Sequence, residues 1–237
     1  DSSELRFNIA CARLQAGAWP GGWNGYEERW AVRGLALPVG ADVAPRWDGR
    51  PLPHGTLLVH HEQGLGDTIQ FIRCLAPLLE RVRDLVLVCQ PTLMRLLAGF
   101  PAFHPAADGT RPRARLIGDG TPPPPVDAWA PLLSLPGLLG LTVATLPSPQ
   151  PCLFAEADRI RQWRQRITAG VPANAAKAAA AAGAALRVGL HWQGNPHAPA
   201  EKGRSIPLAA FAPLVAATPF SEWAMRRMLS WSPAHRC

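Results

Sequence analysis

The sequence predicts an α/β fold with a parallel sheet, preceded by a helical hairpin. Short apolar runs of the kind found in buried strands alternate with segments whose apolar residues recur at helical spacing. Strands that alternate with helices form βαβ units, and such units build parallel sheets. Ahead of the first strand, two helical segments are joined by a tight turn, which is the pattern of a hairpin.

The hairpin is predicted from residues 4–16 and 23–32. The apolar face of the first segment consists of Leu5, Ile9, Ala12 and Ala16. The aromatic side chains of the second segment are Trp23, Tyr26 and Trp30. We expect these aromatics to pack rather than to bind a ligand. Because a hairpin this small cannot bury its own apolar face, we expect it to stack on a neighbouring element.

Four short strands are predicted from apolar runs. They cover residues 56–60, 85–88, 115–117 and 126–129. A helix with apolar residues three to four positions apart is predicted at 69–82. Shorter helices are predicted at 91–98, where proline stands at a tolerated early position, and at 132–139. Proline and glycine punctuate the connecting segments, as is typical of turns between such elements.

A helix, a linker and then the start of a second βα unit near residue 187 are predicted late in the chain. Residues 156–168 predict a helix with arginines mostly opposite its apolar face. That apolar face consists of Ile160, Trp163 and Ile167. The alanine-rich residues 173–185 are interpreted as a linker between domains. Residues 187–192 then predict a new strand, and residues 208–216 predict the helix that follows it.

The charge of the chain comes almost entirely from arginine. The 237 residues carry a formal net charge of +7, and lysine occurs only at Lys177 and Lys202. A surface for anionic partners is one interpretation, and compositional bias is the other. The arginines are scattered and do not alternate with exposed aromatics, so no nucleic-acid partner is predicted.

Other features of composition exclude several classes of protein. No stretch of about 18 or more apolar residues lacks charges or breakers, so no membrane span is expected. No secretory leader is expected either. The five cysteines are odd in number and form no CxxC pair. This usage favours reduced thiols in a cytoplasmic protein over disulfides or a zinc site.

The loop at residues 62–68 is the strongest candidate site. It follows a predicted buried strand and opens a helix, and ligands of α/β folds bind at such strand ends. Gly64 and Gly66 lack side chains, so backbone amides there, flanked by Gln63 and Thr68, are open to an anion. Asp67 would accept a proton from a substrate hydroxyl. The alternative is that Asp67 or Thr68 only caps the helix.

Familiar phosphate and metal motifs do not fit this loop. The dinucleotide fingerprint requires a third small residue where Ile69 stands, and the Walker loop requires a lysine that is absent. His60, His61 and Glu62 are adjacent in sequence. Neighbouring strand residues point to opposite faces, so these three do not converge on a metal ion. No metal site is therefore predicted.

A second candidate loop follows the strand predicted at 187–192. Its donors and charges come from Asn195, Lys202, Arg204 and Ser205. Charged and neutral donors of this kind hold diphosphates. The alternative is a solvated polar loop with no ligand.

Five ordered segments resemble a known family. They are HEQGLGDTIQF at 61–71, WNGYEERW at 23–30, PRWDG at 45–49, PLLSLP at 131–136, and HWQGNP at 191–196 continued by RSIPL at 204–208. Together they resemble the glycosyltransferase-like domain of bacterial tetratricopeptide-repeat proteins. That domain is similar to the heptosyltransferases of glycosyltransferase family 9 and, more distantly, to the GT-B architecture.

The resemblance implies two Rossmann-like halves with a cleft between them. The first half would receive the acceptor, and Asp67 matches the family's proposed general base. Asn195, Arg204 and Ser205, with Lys202 beside them, match the start of the half that holds a nucleotide-sugar. Transfer to an acceptor hydroxyl of a protein or glycan would need no metal and no further cofactor.

The domain organisation expected from the resemblance has six parts. They are a hairpin that ends a tetratricopeptide array (1–34), a connector (35–53), the acceptor-side Rossmann-like domain (54–172), a linker (173–186), an incomplete donor-side half (187–217) and an atypical tail (218–237). Because the family pattern stops near residue 217, we expect a fragment that is inactive in isolation. The alternatives are a non-catalytic binding or scaffold module and a nucleotide-binding regulatory protein.

Overall fold

The computed structural model describes residues 2–33, 44–147, 152–169, 192 and 205–213. The chain divides into two compact units, residues 1–156 and residues 157–237. The predicted linker (173–186) and tail (218–237) lie outside the described residues, as does the strand predicted at 187–192 except for Trp192.

Four parallel strands form the sheet of the first unit. They are β1 (Leu52–His60), β2 (Val82–Cys89), β3 (Ala114–Gly118) and β4 (Ala128–Pro131). Their order across the sheet is β3-β2-β1-β4, and all three pairings are parallel. The predicted α/β fold with a parallel sheet is therefore confirmed, and the strand order agrees with a Rossmann-like sheet.

The apolar runs become strands because both faces of the sheet are covered. Leu57 pairs with Leu85 of β2 and with Ala128 of β4, and all three are buried. Alternate residues serve opposite faces. The larger cluster includes Leu57, Val59, Leu85 and Leu87. The smaller cluster on the other face includes Leu58, Val86, Ile117 and Trp129.

Short helices connect the strands. They are α4 (Leu65–Phe71), α5 (Leu75–Leu78), α6 (Met94–Leu97) and α7 (Leu135–Leu138). Turns of 3₁₀ helix adjoin them at Ile72–Cys74, Pro91–Leu93 and Leu132–Ser134, and another lies at Pro101–Phe103. The helix predicted at 69–82 ends earlier, because the Leu52 N–H bonds the Arg81 carbonyl at 2.7 Å and Val82 already pairs in the sheet.

Three helices precede the sheet where two were predicted. They are α1 (Ser3–Gln15), α2 (Trp19–Tyr26) and α3 (Arg29–Arg33). The Ser2 hydroxyl caps α1 by accepting the Leu5 N–H at 3.2 Å. The second helix begins early because Pro20 fits its first turn. A turn at residues 27–28 separates α2 from α3.

The first helix packs on the second through a face other than the predicted one. Its buried residues are Phe7 and Ala10, whereas Leu5 is 51% and Ile9 is 43% exposed. A Cβ added at Gly25 of α2 would lie 2.8 Å from the Ala10 Cβ. Glycine at this position therefore draws α2 against Ala10, and the predicted apolar face is left in solvent.

Aromatic contacts join the N-terminal helices to the rest of the first unit. Trp23 meets Phe71 of α4 edge to face, with ring centroids 5.8 Å apart. Trp30 lies 6.4 Å from the Trp129 ring of β4. Within the N-terminal helices, the Tyr26 ring of α2 lies 5.5 Å from the Phe7 ring of α1. The expectation that these three aromatics pack is confirmed. Ring pairs in such orientations stabilise a protein by more than the burial of their apolar area alone.

The second unit contains the helix α8 (Ala157–Ala169), as predicted within one residue. Its apolar residues Ile160, Trp163 and Ile167 are all exposed. Residues Leu208–Phe211 form a 3₁₀ turn, and the remainder of the helix predicted to Ala216 runs beyond the described residues. Across the described ranges of both units, no helix combines the length and apolarity that crossing a membrane requires.

Candidate functional site

The residues that directly follow the strands form one edge of the sheet, here named the carboxyl edge. His61 follows β1, Gln90 follows β2 and Asp119 follows β3. Backbone hydrogen bonds extend the sheet to this edge, since the His61 N–H donates to the Val88 carbonyl at 3.0 Å. The strand order reverses at β1, and ligands of open α/β sheets bind at the carboxyl edge near such a reversal.

Arg29 of α3 lies where the segments after β1 and β4 face each other. Its side chain is fully buried, with 0% exposed. The guanidinium donates to both carboxylate oxygens of Glu62, at 2.9 and 2.7 Å, and to the Ser134 hydroxyl at 2.7 Å. Glu62 also accepts the Leu133 N–H at 3.3 Å. A two-point guanidinium–carboxylate pair of this kind fixes both partners in orientation.

Two further charged residues complete this cluster, here named the Arg29 network: Glu27, Arg29, Arg46, Glu62 and Ser134. Glu27 accepts from Arg29 at 2.8 Å and from the Ser134 hydroxyl at 2.7 Å, and it pairs with Arg46. With the Tyr26 carbonyl accepting from Arg29 as well, the network joins the N-terminal helices to the loops after β1 and β4.

Within the network, the charged forms of Glu27 and Arg29 are favoured by their partners. Burial raises the pKa of Glu27, but the charge and hydrogen bonds of Arg29, Ser134 and Arg46 outweigh burial and set that pKa below its usual value. Burial also opposes the charge of Arg29, yet its hydrogen bonds and ion pair with Glu62 keep the Arg29 pKa above its usual value. A buried charge is tolerated only when paired in this way.

His60, the last residue of β1, is buried between two tryptophans. Its ring lies 6.2 Å from Trp30 and 5.5 Å from Trp129. The Nδ1 atom is 2.7 Å from the His61 carbonyl oxygen, so Nδ1 carries the proton of the neutral ring. Burial lowers the pKa of His60 to about 4, and the neighbouring charge of Arg29 adds to this effect.

The predicted loop at 62–68 forms a tight turn into α4. Gln63 has a φ of 63°, in the left-handed region that non-glycine residues rarely occupy. Its amide donates to the Tyr26 hydroxyl at 3.1 Å. Asp67 Oδ2 accepts the Gly64 N–H at 2.9 Å. The structure therefore gives Asp67 the capping role considered above, and leaves its Oδ1 without a hydrogen-bond partner among the described residues.

Gly66 faces open space in the first turn of α4. A Cβ added there would meet nothing within 4 Å, and its φ is not positive. Glycine in a helix costs about 0.5–1 kcal/mol relative to alanine. Neither backbone conformation nor packing within the described residues explains this glycine, which leaves room for a ligand to approach the backbone.

The other side of the carboxyl edge holds a second polar group. The Thr68 hydroxyl, on a fully buried residue, donates to Gln90 Oε1 at 3.0 Å. His61 Nε2 lies 3.4 Å from Asp119 Oδ2. Of the six buried side-chain polar atoms that lack a partner in the described ranges, four lie at or beside this edge, on Trp30, His60, His61 and Gln90. Buried polar atoms without a hydrogen-bond partner are rare in folded proteins, so these four atoms are candidates to hydrogen-bond a ligand.

The predicted site residues are only partly brought together. Gly64, Gly66 and Asp67 share one turn, and Gln63 is tied to α2 beside it. Thr68 points instead into the protein towards Gln90. Of the predicted diphosphate-binding residues, Asn195, Lys202 and Arg204 lie outside the described ranges. Ser205 is partly exposed in the second unit and precedes Ile206, whose N–H bonds the Trp192 carbonyl at 2.9 Å.

Sequence reasoning missed the Arg29–Glu62 pair and the roles of Gln90 and Asp119. The partners of the pair are 33 residues apart, so no local pattern connects them. One signal was available for Gln90 and Asp119, because each polar residue directly follows a predicted strand. No group of three His, Cys, Asp or Glu side chains in the described part of the chain is arranged to hold a metal ion.

Comparison of the chain with models of protein families, with curated proteins and with solved structures gives no match.

Proposed function

We propose that this chain belongs to a glycosyltransferase, in which the first unit presents an acceptor hydroxyl and the second unit holds a nucleotide-sugar. The observation that carries the proposal is the turn into α4. Asp67 is half-buried at the carboxyl end of β1, its Oδ1 has no hydrogen-bond partner among the described residues, and Gly66 leaves open space beside it. The motif resemblance supplies the reaction class.

In the proposed reaction the acceptor O–H bond and the bond from the sugar's anomeric carbon to the diphosphate oxygen break. The acceptor oxygen bonds the anomeric carbon, its proton passes to Asp67 Oδ1, and the nucleoside diphosphate leaves with the electron pair. Asn195, Lys202, Arg204 and Ser205 would neutralise the leaving phosphates, so that no metal ion is required.

Two polar groups of the carboxyl edge support the acceptor-side assignment, namely the unpartnered Gln90 Nε2 and the Asp119 carboxylate. A hydroxyl group both donates and accepts, whereas Gln90 Nε2 only donates and the Asp119 carboxylate only accepts. A sugar acceptor with neighbouring hydroxyls has donors and acceptors for both kinds of group. A phosphate would be repelled by Asp119, which favours a neutral hydroxyl-bearing acceptor on this side.

The alternative is a non-catalytic binding or scaffold module linked to tetratricopeptide repeats. One specific observation favours it: the Asp67 carboxylate already caps α4 through Gly64. A capping carboxylate is explained by helix stability without any chemistry. Under this alternative the carboxyl edge binds a glycan or protein and no bond changes.

The first experiment separates the two by sequencing the locus through the codons around Ala217. A second reading frame that continues into strands and helices would complete the donor-side half, and donor assays would then use the restored protein. If no frame does so, the binding-module alternative replaces the transferase proposal.

The second experiment tests Asp67 in the restored protein. Nucleoside-diphosphate release from UDP-N-acetylglucosamine and from ADP-heptose is measured with glycan and protein acceptors. Asp67→Asn keeps an oxygen that caps Gly64 but cannot take the proton, so we expect turnover to fall by about a hundredfold or more. Asp108→Asn is the matched control, because Asp108 also accepts a backbone N–H at 2.9 Å. Normal turnover in Asp67→Asn would remove the general-base role.

A further inference from the structure

An apolar groove lies in the helical layer of the first unit, away from the carboxyl edge. Its volume is about 660 Å³, within the range of about 300–1,000 Å³ typical of small-molecule sites. Arg73 and Ala76 line one wall, and Phe100 and Pro101 line another. The groove reaches Arg113, which directly precedes β3, so it extends towards the amino ends of the strands.

The lining of the groove is apolar with a basic rim. Its polar residues include Arg73, Arg111 and Arg113, and no acidic residue is among its described lining residues. Arg111 is paired with Asp84 at 3.0 Å. Arg73 donates only to the Gln70 carbonyl, and Arg113 donates to backbone carbonyls. Arg73 and Arg113 therefore line this groove without a carboxylate partner in the described ranges, and the Nη atoms of Arg73 and Nη1 of Arg113 make no hydrogen bond there.

We propose that this groove binds a single-chain anionic amphiphile, of the class of an alkyl or isoprenyl phosphate. The apolar walls would cover the hydrocarbon chain, and Arg73 with Arg113 would meet the phosphate. Guanidinium groups suit phosphate because their donors match its oxygens. The groove is separate from Asp67 and Gly64, so this inference stands whether or not the transferase proposal holds.

The test is a calorimetric titration of the full chain with dodecyl phosphate and decyl phosphate, each below its micelle concentration. Each buried methylene tightens binding by about fourfold, and the two chains differ by two methylenes, so we expect dodecyl phosphate to bind about fifteenfold more tightly than decyl phosphate. Dodecanol, which has the chain without the charge, should bind about tenfold or more weakly than dodecyl phosphate. No saturable binding, equal affinity for the two chain lengths, or equal affinity for dodecanol would overturn the proposal.

Two variants locate the binding in the groove. Ala76→Trp fills the groove from an exposed helical position, and Arg73→Glu reverses the charge of its rim. We expect each to weaken dodecyl phosphate binding by about tenfold or more. Arg50→Glu is the matched control for the charge reversal, because Arg50 is exposed and lies outside the groove. If either groove variant binds dodecyl phosphate with unchanged affinity, or if Arg50→Glu loses as much affinity as Arg73→Glu, the assignment of binding to this groove is wrong.

A final arm distinguishes a single amphiphile from a lipid surface. The chain is sedimented with vesicles of phosphatidylcholine and phosphatidic acid, and the supernatant is assayed. We expect the chain to stay in the supernatant, because a groove of this volume has room for one hydrocarbon chain and not for a bilayer surface. Cosedimentation that is lost in Arg73→Glu would assign this surface to membranes and overturn the proposal.

Discussion

Arg29 carries a full charge at a position that solvent does not reach. Its three nitrogen atoms donate to Glu62, Ser134, Glu27 and the Tyr26 carbonyl, so the guanidinium is surrounded by acceptors. Removing one member of a buried pair costs more than the pair itself contributes, because the remaining charge stays desolvated. Arg29 thus fixes the loop that begins at Glu62 from a helix far away in sequence.

The first prediction concerns this pair. Arg29→Met should lower the free energy of unfolding by about 3–5 kcal/mol, measured by urea denaturation. Arg29→Met combined with Glu62→Met should recover a large part of the loss, since no unpaired charge remains. The control is Arg6→Met, because Arg6 makes a similar two-point pair with Glu28 on the surface. That control should change stability little, and an equal loss in both single variants would contradict the argument.

His60 makes stability depend on pH in a defined window. The unfolded chain protonates His60 near its ordinary pKa of 6.5, whereas burial sets the folded pKa at about 4. Between these values the unfolded state binds more protons, so stability falls as pH falls from 6.5 to 4 and the loss is complete below 4. The contribution lost is about 3 kcal/mol. His60→Phe should remove this part of the pH dependence of urea unfolding.

The comparison that isolates His60 is His54→Phe. His54 lies exposed near the start of the same strand. The acidic groups are identical in both variants, so their contributions cancel in the difference. If His60→Phe keeps the wild-type slope between pH 6.5 and 4, the buried neutral ring is not its source.

At the scale of single residues, the sequence predicts what local spacing encodes. Gly64, Gly66 and Asp67 fall within one turn, so their shared position and the capping alternative for Asp67 follow from the sequence. The pairing of Arg29 with Glu62 does not, because it depends on how α3 packs across the sheet. No charge pattern marks Arg29 among the other scattered arginines.

In the turn into α4, a substitution that raises the stability of the helix should also restrict the access of a ligand to the backbone. Gly66→Ala places a methyl group in open space within a helical turn, so the free energy of unfolding should rise by about 0.5–1 kcal/mol. If an acceptor approaches this backbone, the same change should weaken turnover or acceptor binding in the restored protein. Urea denaturation and nucleoside-diphosphate release measure the two effects separately.

Gly49→Ala is the matched comparison for this element. Gly49 has a φ of 90°, and an added Cβ would lie 2.6 Å from the Leu138 carbonyl oxygen. It should therefore destabilise the chain where Gly66→Ala stabilises it. A stabilised Gly66→Ala with unchanged turnover would show that no acceptor touches the first turn of α4.

The sequence predicts an element well where burial determines its position. It predicts an element poorly where one particular contact determines which face is buried or where the helix ends. Each of the four strands predicted between residues 56 and 129 overlaps an observed one, because a strand covered on both faces is apolar throughout. The predicted face of α1 is exposed, because Gly25 lets α2 approach Ala10 instead. The local sequence pattern does not predict the break between α2 and α3. The turn at this break carries Glu27, and the partners of Glu27, Arg46 and Ser134, are distant in sequence.

At the scale of the whole molecule, alternation of strands and helices predicts the parallel sheet but not the place of the N-terminal helices. These helices contribute Trp23 against Phe71 and Trp30 against His60 and Trp129. They also supply Arg29 to the carboxyl edge. The first unit is thus built from a sheet and a preceding helical segment that shares its polar network.

The last prediction tests this shared construction with two truncated chains. A chain of residues 44–156 loses the cation that pairs with Glu62 and exposes the aromatic faces that α2 and α3 cover. The truncated chain should lose more free energy of unfolding than Arg29→Met alone, because both apolar burial and the ion pair are lost. Typical domains are stable by only about 5–15 kcal/mol, so we expect no cooperative urea transition for residues 44–156 and a cooperative one for residues 2–156. A cooperative transition at the same urea midpoint in both chains would show that the helices are appended to a sheet that folds without them.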